Sequence, residues 1–101
     1  MTQIKVCNLT LVPGGTMKQF YVQETEILIV NLNNQIYGLD GRCTHAGAPL
    51  AEGTLDGEIL TCPWHGSQFN VTNGSIVRGP TEKPLNVYSC KLREGFVFID
   101  I

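Results

Sequence analysis

The chain has 101 residues, 43 % of them hydrophobic and 16 % charged, with a formal net charge of −2. This is a globular composition of about one domain's size, and 7 cations against 9 acids exclude the clustered basic surface that nucleic acid rewards. No apolar run approaches the ~18 residues of a membrane span and no signal-peptide layout opens the sequence, so a cytoplasmic location is expected.

Gln3 to Leu9 alternates polar and apolar side chains, Ile4 and Val6 against Lys5 and Cys7, as a half-buried strand does. Val12-Pro13-Gly14-Gly15 breaks it. Met17 to Val22, Glu26 to Leu32 and Gln35 to Leu39 read as three more strands. The last two meet at Asn33-Asn34, where asparagine tolerates the positive φ of a tight hairpin. Asp40-Gly41-Arg42 then leads into a loop, Cys43-Thr44-His45-Ala46-Gly47-Ala48-Pro49.

Thr54-Leu55 and Glu58 to Thr61 flank Asp56-Gly57, a two-residue hairpin signal. That hairpin carries the chain back to a second loop, Cys62-Pro63-Trp64-His65-Gly66-Ser67. Gln68 to Val71 and Ser75 to Val77 flank another turn at Asn73-Gly74, and Arg78-Gly79-Pro80 is a rigid break. Leu85 to Leu92 and Phe96 to Ile101 pair across Arg93-Glu94-Gly95. No stretch reads as a helix, repeat or linker. Many short strands with frequent turns predict an all-β sandwich or barrel.

The two loops carry the chemistry. Each holds one thiolate and one imidazole, and His45 and His65 are the only histidines in the chain. A structural zinc usually takes close pairs of like ligands in a closed tetrahedral cage. Here both loops are mixed, so each can give its cysteine to one metal ion and its histidine to another. The stretches Cys43-Thr44-His45-Ala46-Gly47 and Cys62-Pro63-Trp64-His65-Gly66-Ser67 resemble the two cluster-binding boxes of the Rieske [2Fe-2S] proteins, in which two histidines replace two cysteines on one iron.

The resemblance implies a single Rieske domain over 1–101, a base β-sandwich carrying a small hairpin-built cluster subdomain over about 41–80. It implies Cys43 and Cys62 on one iron and His45 and His65 on the other. With two thiolates the oxidised site is neutral, and one added electron leaves it singly negative. This smaller charge sets Rieske centres at about −150 to +300 mV, against about −400 mV for plant-type ferredoxins.

Around the ligands, Gly47 and Gly66 are expected to let the backbone approach the cluster or to make the turns. Pro49 and Pro63 stiffen the loops, and Pro80 joins the cluster's surroundings. Quinol-oxidising Rieske proteins carry an added cysteine in each loop, where this chain has Ala48 and Trp64, and a tyrosine where it has Phe69. These departures point to a lower potential. Ser67 points the other way if its hydroxyl donates to a cluster sulfide, and is neutral if it only satisfies its own loop. Trp64 is expected to shield the cluster rather than to dock a partner. Cys7 and Cys90 are expected as buried hydrophobes, with a Cys7–Cys90 bridge as the alternative.

In function the chain is similar to the ferredoxin components of multicomponent aromatic-ring dioxygenases. That implies a monomeric electron carrier, not an enzyme, between a flavin-dependent reductase and a terminal oxygenase or other oxidoreductase. An oxygenase needs a further mononuclear iron site, for which no histidine is left. Two alternatives stay open: a small subunit of assimilatory nitrite reductase and a zinc-stabilised interaction module.

Overall fold

The computed structural model describes residues 3–101. A strand of four consecutive apolar residues needs cover on both faces, because successive side chains point to opposite sides of a sheet. Ile27, Leu28, Ile29 and Val30 are such a run, and none of them is exposed to solvent. They lie in β3 (Thr25–Leu32), between β2 (Thr16–Val22) and β4 (Gln35–Asp40). β9 (Val87–Tyr88) completes this four-stranded antiparallel sheet on the far side of β4.

Ile27 and Ile29 face a three-stranded sheet in the order β1 (Gln3–Asn8), β11 (Phe96–Asp100), β10 (Cys90–Arg93), sharing a core with Cys7, Val12, Val22, Val97 and Ile99. Leu28 and Val30 face the other way, into a core with Leu39, Leu50, Leu60, Phe69, Val71, Leu85 and the two loop cysteines. That second core is roofed by a four-stranded sheet in the order β5 (Thr54–Asp56), β6 (Ile59–Thr61), β7 (Gln68–Asn70), β8 (Ile76–Arg78). The all-β expectation holds, and the sheet that carries the loops rests on the middle sheet.

Several local readings change. In β1 the register slips between Lys5 and Cys7, and this bulge turns Cys7 into the core, where strict alternation puts it outside. The segment 85–92 is not one strand: β9 pairs with β4 and β10 with β11, the chain crossing between sheets at Ser89. The turn after Asp56 is Gly57-Glu58, one residue later than expected, and the Asn73-Gly74 turn is wider, spanning 71–75 between β7 and β8. Short 3-10 turns at Leu9–Leu11 and Leu50–Glu52 carried no periodic signal in so few residues. Asn33 and Asn34 do take φ of 53° and 67° as expected. Among the described residues no helix is long and apolar enough to cross a membrane.

Cys7 and Cys90 are free thiols. They sit on strands flanking β11, opposite Val97 and Ile99. Two strand spacings, about 9.5 Å, separate such positions, too far for a disulfide, so core packing is the reading that holds.

Candidate metal centre

The two loops are built alike. In each, the residue before the cysteine pairs with the residue seven further on: Arg42 bridges Pro49, and Thr61 pairs with Gln68. The cysteine N–H then closes the loop on a carbonyl five residues ahead, Cys43 to Ala48 at 2.9 Å and Cys62 to Ser67 at 2.8 Å. Such a closure needs a left-handed residue before that carbonyl, and Gly47 and Gly66 supply it with φ of 73° and 77°. A Cβ on either glycine would meet no protein atom within 4 Å, so the turn itself is what requires glycine there.

This shared closure sends the cysteines inward and the histidines outward. Cys43 and Cys62 are each 3 % exposed, while His45 and His65 are exposed. The imidazole centroids are 5.0 Å apart, with rings at 85° to each other. Burial pushes the Cys43 thiol up, opposed by the N–H groups of His45 and Ala46 and reinforced by the neighbouring Cys62 sulfur. Two unbridged sulfurs lie side by side in an apolar core, and a metal bound there would deprotonate the coordinating thiols outright.

These residues fit a [2Fe-2S] cluster. Two imidazoles bound to one metal ion at the usual ~2 Å from nitrogen hold their centroids roughly 5 Å apart, the separation found here. Among the described residues no three His, Cys, Asp or Glu side chains gather about one ion position; the donors pair two and two. The backbone N–H groups of His45 and Ala46 favour the thiolate form of Cys43. Ser67 adds a hydroxyl with no exposure. Its oxygen accepts from the Thr81 N–H at 3.1 Å, and no protein group among the described residues takes its proton.

Other predicted neighbours fall into place unevenly. Ala48 and Phe69 are fully buried beside the cysteines. Trp64, expected to shield the cluster, is 56 % exposed, and the neighbouring His65 is also at the surface. Pro80 is exposed and lines, with Thr44, His45, Glu82 and Lys83, a shallow groove of about 390 Å³ beside His45.

Three contributors were not read from the sequence. Thr81 is 5 % exposed and bonds to residues of both loops. Arg42 donates to the Gly47 carbonyl at 2.9 Å. Gly53 lies so close to β6 that a Cβ would sit 2.0 Å from the Thr61 oxygen. Only the glycine carried a sequence signal, as a punctuation residue after the first loop.

The sandwich, the hairpin sheet and the paired loops define a class: all-β proteins holding a two-iron centre between two turns, cysteines inside and histidines at the surface. The sequence profile of the Rieske [2Fe-2S] domain matches residues 2–89. Ferredoxin CarAc of Metapseudomonas resinovorans is 35 % identical over 97 residues, covering 95 % of this chain and 91 % of that protein. The biphenyl dioxygenase ferredoxin subunit of Pseudomonas sp. strain KKS102 is 31 % identical over 101 residues, covering 99 % and 93 %. In the solved complex of reduced oxygenase and oxidized ferredoxin of carbazole 1,9a-dioxygenase, a chain 35 % identical superposes with a TM-score of 0.88, covering 96 % of this chain and 91 % of that one. The chain belongs to the Rieske [2Fe-2S] domain family.

Proposed function

We propose that the chain is a Rieske-type ferredoxin, a one-electron carrier rather than a catalyst, that takes electrons from a flavin-dependent reductase and delivers them to a terminal oxygenase. Cys43 and Cys62 bind one iron of a single [2Fe-2S] cluster, and His45 and His65 bind the other. The observation that carries this reading is the split of the donors: two sulfurs buried and adjacent, two imidazoles exposed with centroids 5.0 Å apart. The relatives named as ferredoxin components, and the solved oxygenase–ferredoxin complex, support the acceptor's identity.

The cluster supplies a single reversible redox step. The protein's residues set its terms. The buried sulfurs sit away from water in an apolar core, and the N–H groups of His45 and Ala46 and the Ser67 hydroxyl stabilise the more negative reduced state. In this reading the exposed imidazoles of His45 and His65 are the electron's exit, on the surface where a partner docks. The proline-stiffened, cross-closed loops limit movement when the charge changes.

The reduction potential of the purified protein against pH, by film voltammetry, tests the reading. A reversible one-electron wave in the lower part of the Rieske range, flat until alkaline pH, is the expected result. Folded protein that gives no wave and contains zinc without iron or acid-labile sulfide would overturn it in favour of the interaction module.

A further inference from the structure

We propose that Thr81 is a positioning residue: it ties the two cluster loops together and aims the Ser67 hydroxyl at the cluster. The inference rests on the Rieske reading above and adds a residue outside both loops. Thr81 is 5 % exposed, while Gly79, Pro80, Glu82, Lys83 and Pro84 around it are all exposed. A polar side chain buried alone in a surface loop has to find partners.

Its partners are the two loops. The Thr81 hydroxyl is bonded to the Thr44 hydroxyl, between the ligand positions Cys43 and His45. Thr44 has a single proton to give, and gives it to the Lys83 carbonyl at 2.6 Å. Thr81 lies farther from that carbonyl, at 3.3 Å, so the shorter bond goes to Thr44 and Thr81 is assigned as the donor in the hydroxyl pair. The Lys83 N–H lies 3.4 Å from the Thr81 oxygen, which closes a ring of donors and acceptors: Lys83 N–H, Thr81, Thr44, Lys83 carbonyl. Thr81 is held by this ring to the first loop.

On its backbone side Thr81 reaches the second loop. Its N–H donates to Ser67 Oγ at 3.1 Å, occupying one lone pair and turning the hydroxyl proton away from the Thr81 side. A buried hydroxyl proton without an acceptor costs about 1–3 kcal/mol, and a cluster sulfur is the acceptor that removes this cost. A donor to a cluster sulfur raises the potential. The side chain of Thr81 thus acts on the potential through its own N–H and Ser67, without touching the cluster.

The test is a double-mutant cycle on the cluster-bound protein, read as reduction potential together with the rate of bleaching in urea. Ser67→Ala should shift the reduction equilibrium about tenfold toward the oxidised form, about 59 mV for a one-electron couple. Thr81→Val, which cannot join the ring, should by itself reproduce a large part of that shift and bleach faster. Thr81→Ser should keep the wild-type potential. The double variant should lie no lower than Ser67→Ala alone. A wild-type potential in Thr81→Val, or full additivity in the double variant, would overturn the proposal. If Thr81→Val assembles no cluster, Thr44→Val breaks the same bond from the other side, and an unshifted potential there overturns it equally. A wild-type protein without the Rieske electron paramagnetic resonance signal would instead sink the functional reading itself.

Discussion

Arg42 fastens the first loop to the sandwich through Glu26: its Nε lies 2.7 Å from Glu26 Oε2, and its Nη1 donates to the Gly47 carbonyl. Glu26 also accepts from Gln19 and Tyr21, so one carboxylate gathers three side chains beside the loop. The Arg42 hydrogen bond is the main reason its carboxyl is held below the usual carboxylate range. A depressed folded value gives stability that is present above the unfolded value, near 4.3, and is lost as pH falls through the folded one. Glu26→Gln should therefore lower the melting temperature slightly at pH 7, and the gap to wild type should narrow as the pH is taken toward 3.5. The solvent exposure of Arg42 keeps the effect small. An equal gap at both pH values would mean the ion pair does not anchor the loop.

Gly53→Ala should destabilise the protein by about 3 kcal/mol, at the upper end for overpacking, and lower its iron content. Its φ of −81° suits any residue, so the cost is steric. The added Cβ would lie 2.0 Å from the Thr61 carbonyl oxygen and 3.2 Å from that of Leu50, both backbone atoms that cannot rotate aside. Thr61 directly precedes Cys62, so the displacement enters the second loop. Urea midpoints and iron per chain measure both effects.

How far the sequence could be read depended on whether a residue's neighbours were local. Asn33-Asn34 announced a turn because asparagine tolerates positive φ, whereas Gln23 and Glu24 adopt the same left-handed pair, φ of 49° and 65°, with no such signal. Their turn is imposed by the pairing of Val22 with Thr25 and of the strands beyond. The paired loops were legible because metal donors are rare and their spacing is short. Thr81 was not, since its value comes from Thr44, 37 residues away, and Ser67, 14 residues away. The break at Ser89 was hidden for a related reason: β9 and β10 have the same composition as one continuous strand, and only the competition of two sheets for pairing divides them.

Stability should fall on the alkaline side. Burial, with help from Asp40, pushes the Tyr88 hydroxyl up to about 12, and burial, with help from Cys7, pushes the Cys90 thiol up to about 11. Both groups are held neutral in the folded chain, so their contribution is complete below pH ~9 and is lost as the unfolded forms ionise, near 9 for cysteine and 10 for tyrosine. The urea midpoint should decline between pH 9 and 11, values set by these two groups. Cys90→Ala should flatten the earlier part of that decline. Tyr88→Phe should flatten the later part while losing about 1 kcal/mol at pH 7, through the 2.9 Å bond from its hydroxyl to Asp40. A midpoint that stays level to pH 11 in wild type would refute the assignment.

Phe69→Tyr should raise the reduction potential. Phe69 is fully buried on β7 in the same core as Cys43 and Cys62. A hydroxyl added in that core is expected to donate to the sulfur of Cys43 or Cys62, and a net bond of about 1 kcal/mol favouring the reduced state corresponds to roughly 40 mV. Voltammetry of the variant checks this, with visible absorbance confirming that the cluster is retained. A potential at or below wild type would mean that the new hydroxyl turns away from the sulfurs.

Trp64→Ala should separate tuning from docking. The indole is 56 % exposed in the same loop as His65, and Pro63 and His45 are also at the surface. A residue that shields the cluster changes the cluster's access to water, and with it the potential. One that lies on the docking face leaves the potential alone and weakens the complex, since aromatic anchors carry a large share of binding energy, about 2 kcal/mol or more where they are buried by the partner. The exposure of Trp64 favours the second outcome: an unmoved potential, with the apparent affinity for the terminal oxygenase reduced roughly 30-fold at that energy. Stopped-flow oxidation of the reduced protein by the oxygenase proposed as its acceptor, run against oxygenase concentration, reads the affinity. A shifted potential with unchanged affinity would return Trp64 to the role of shield.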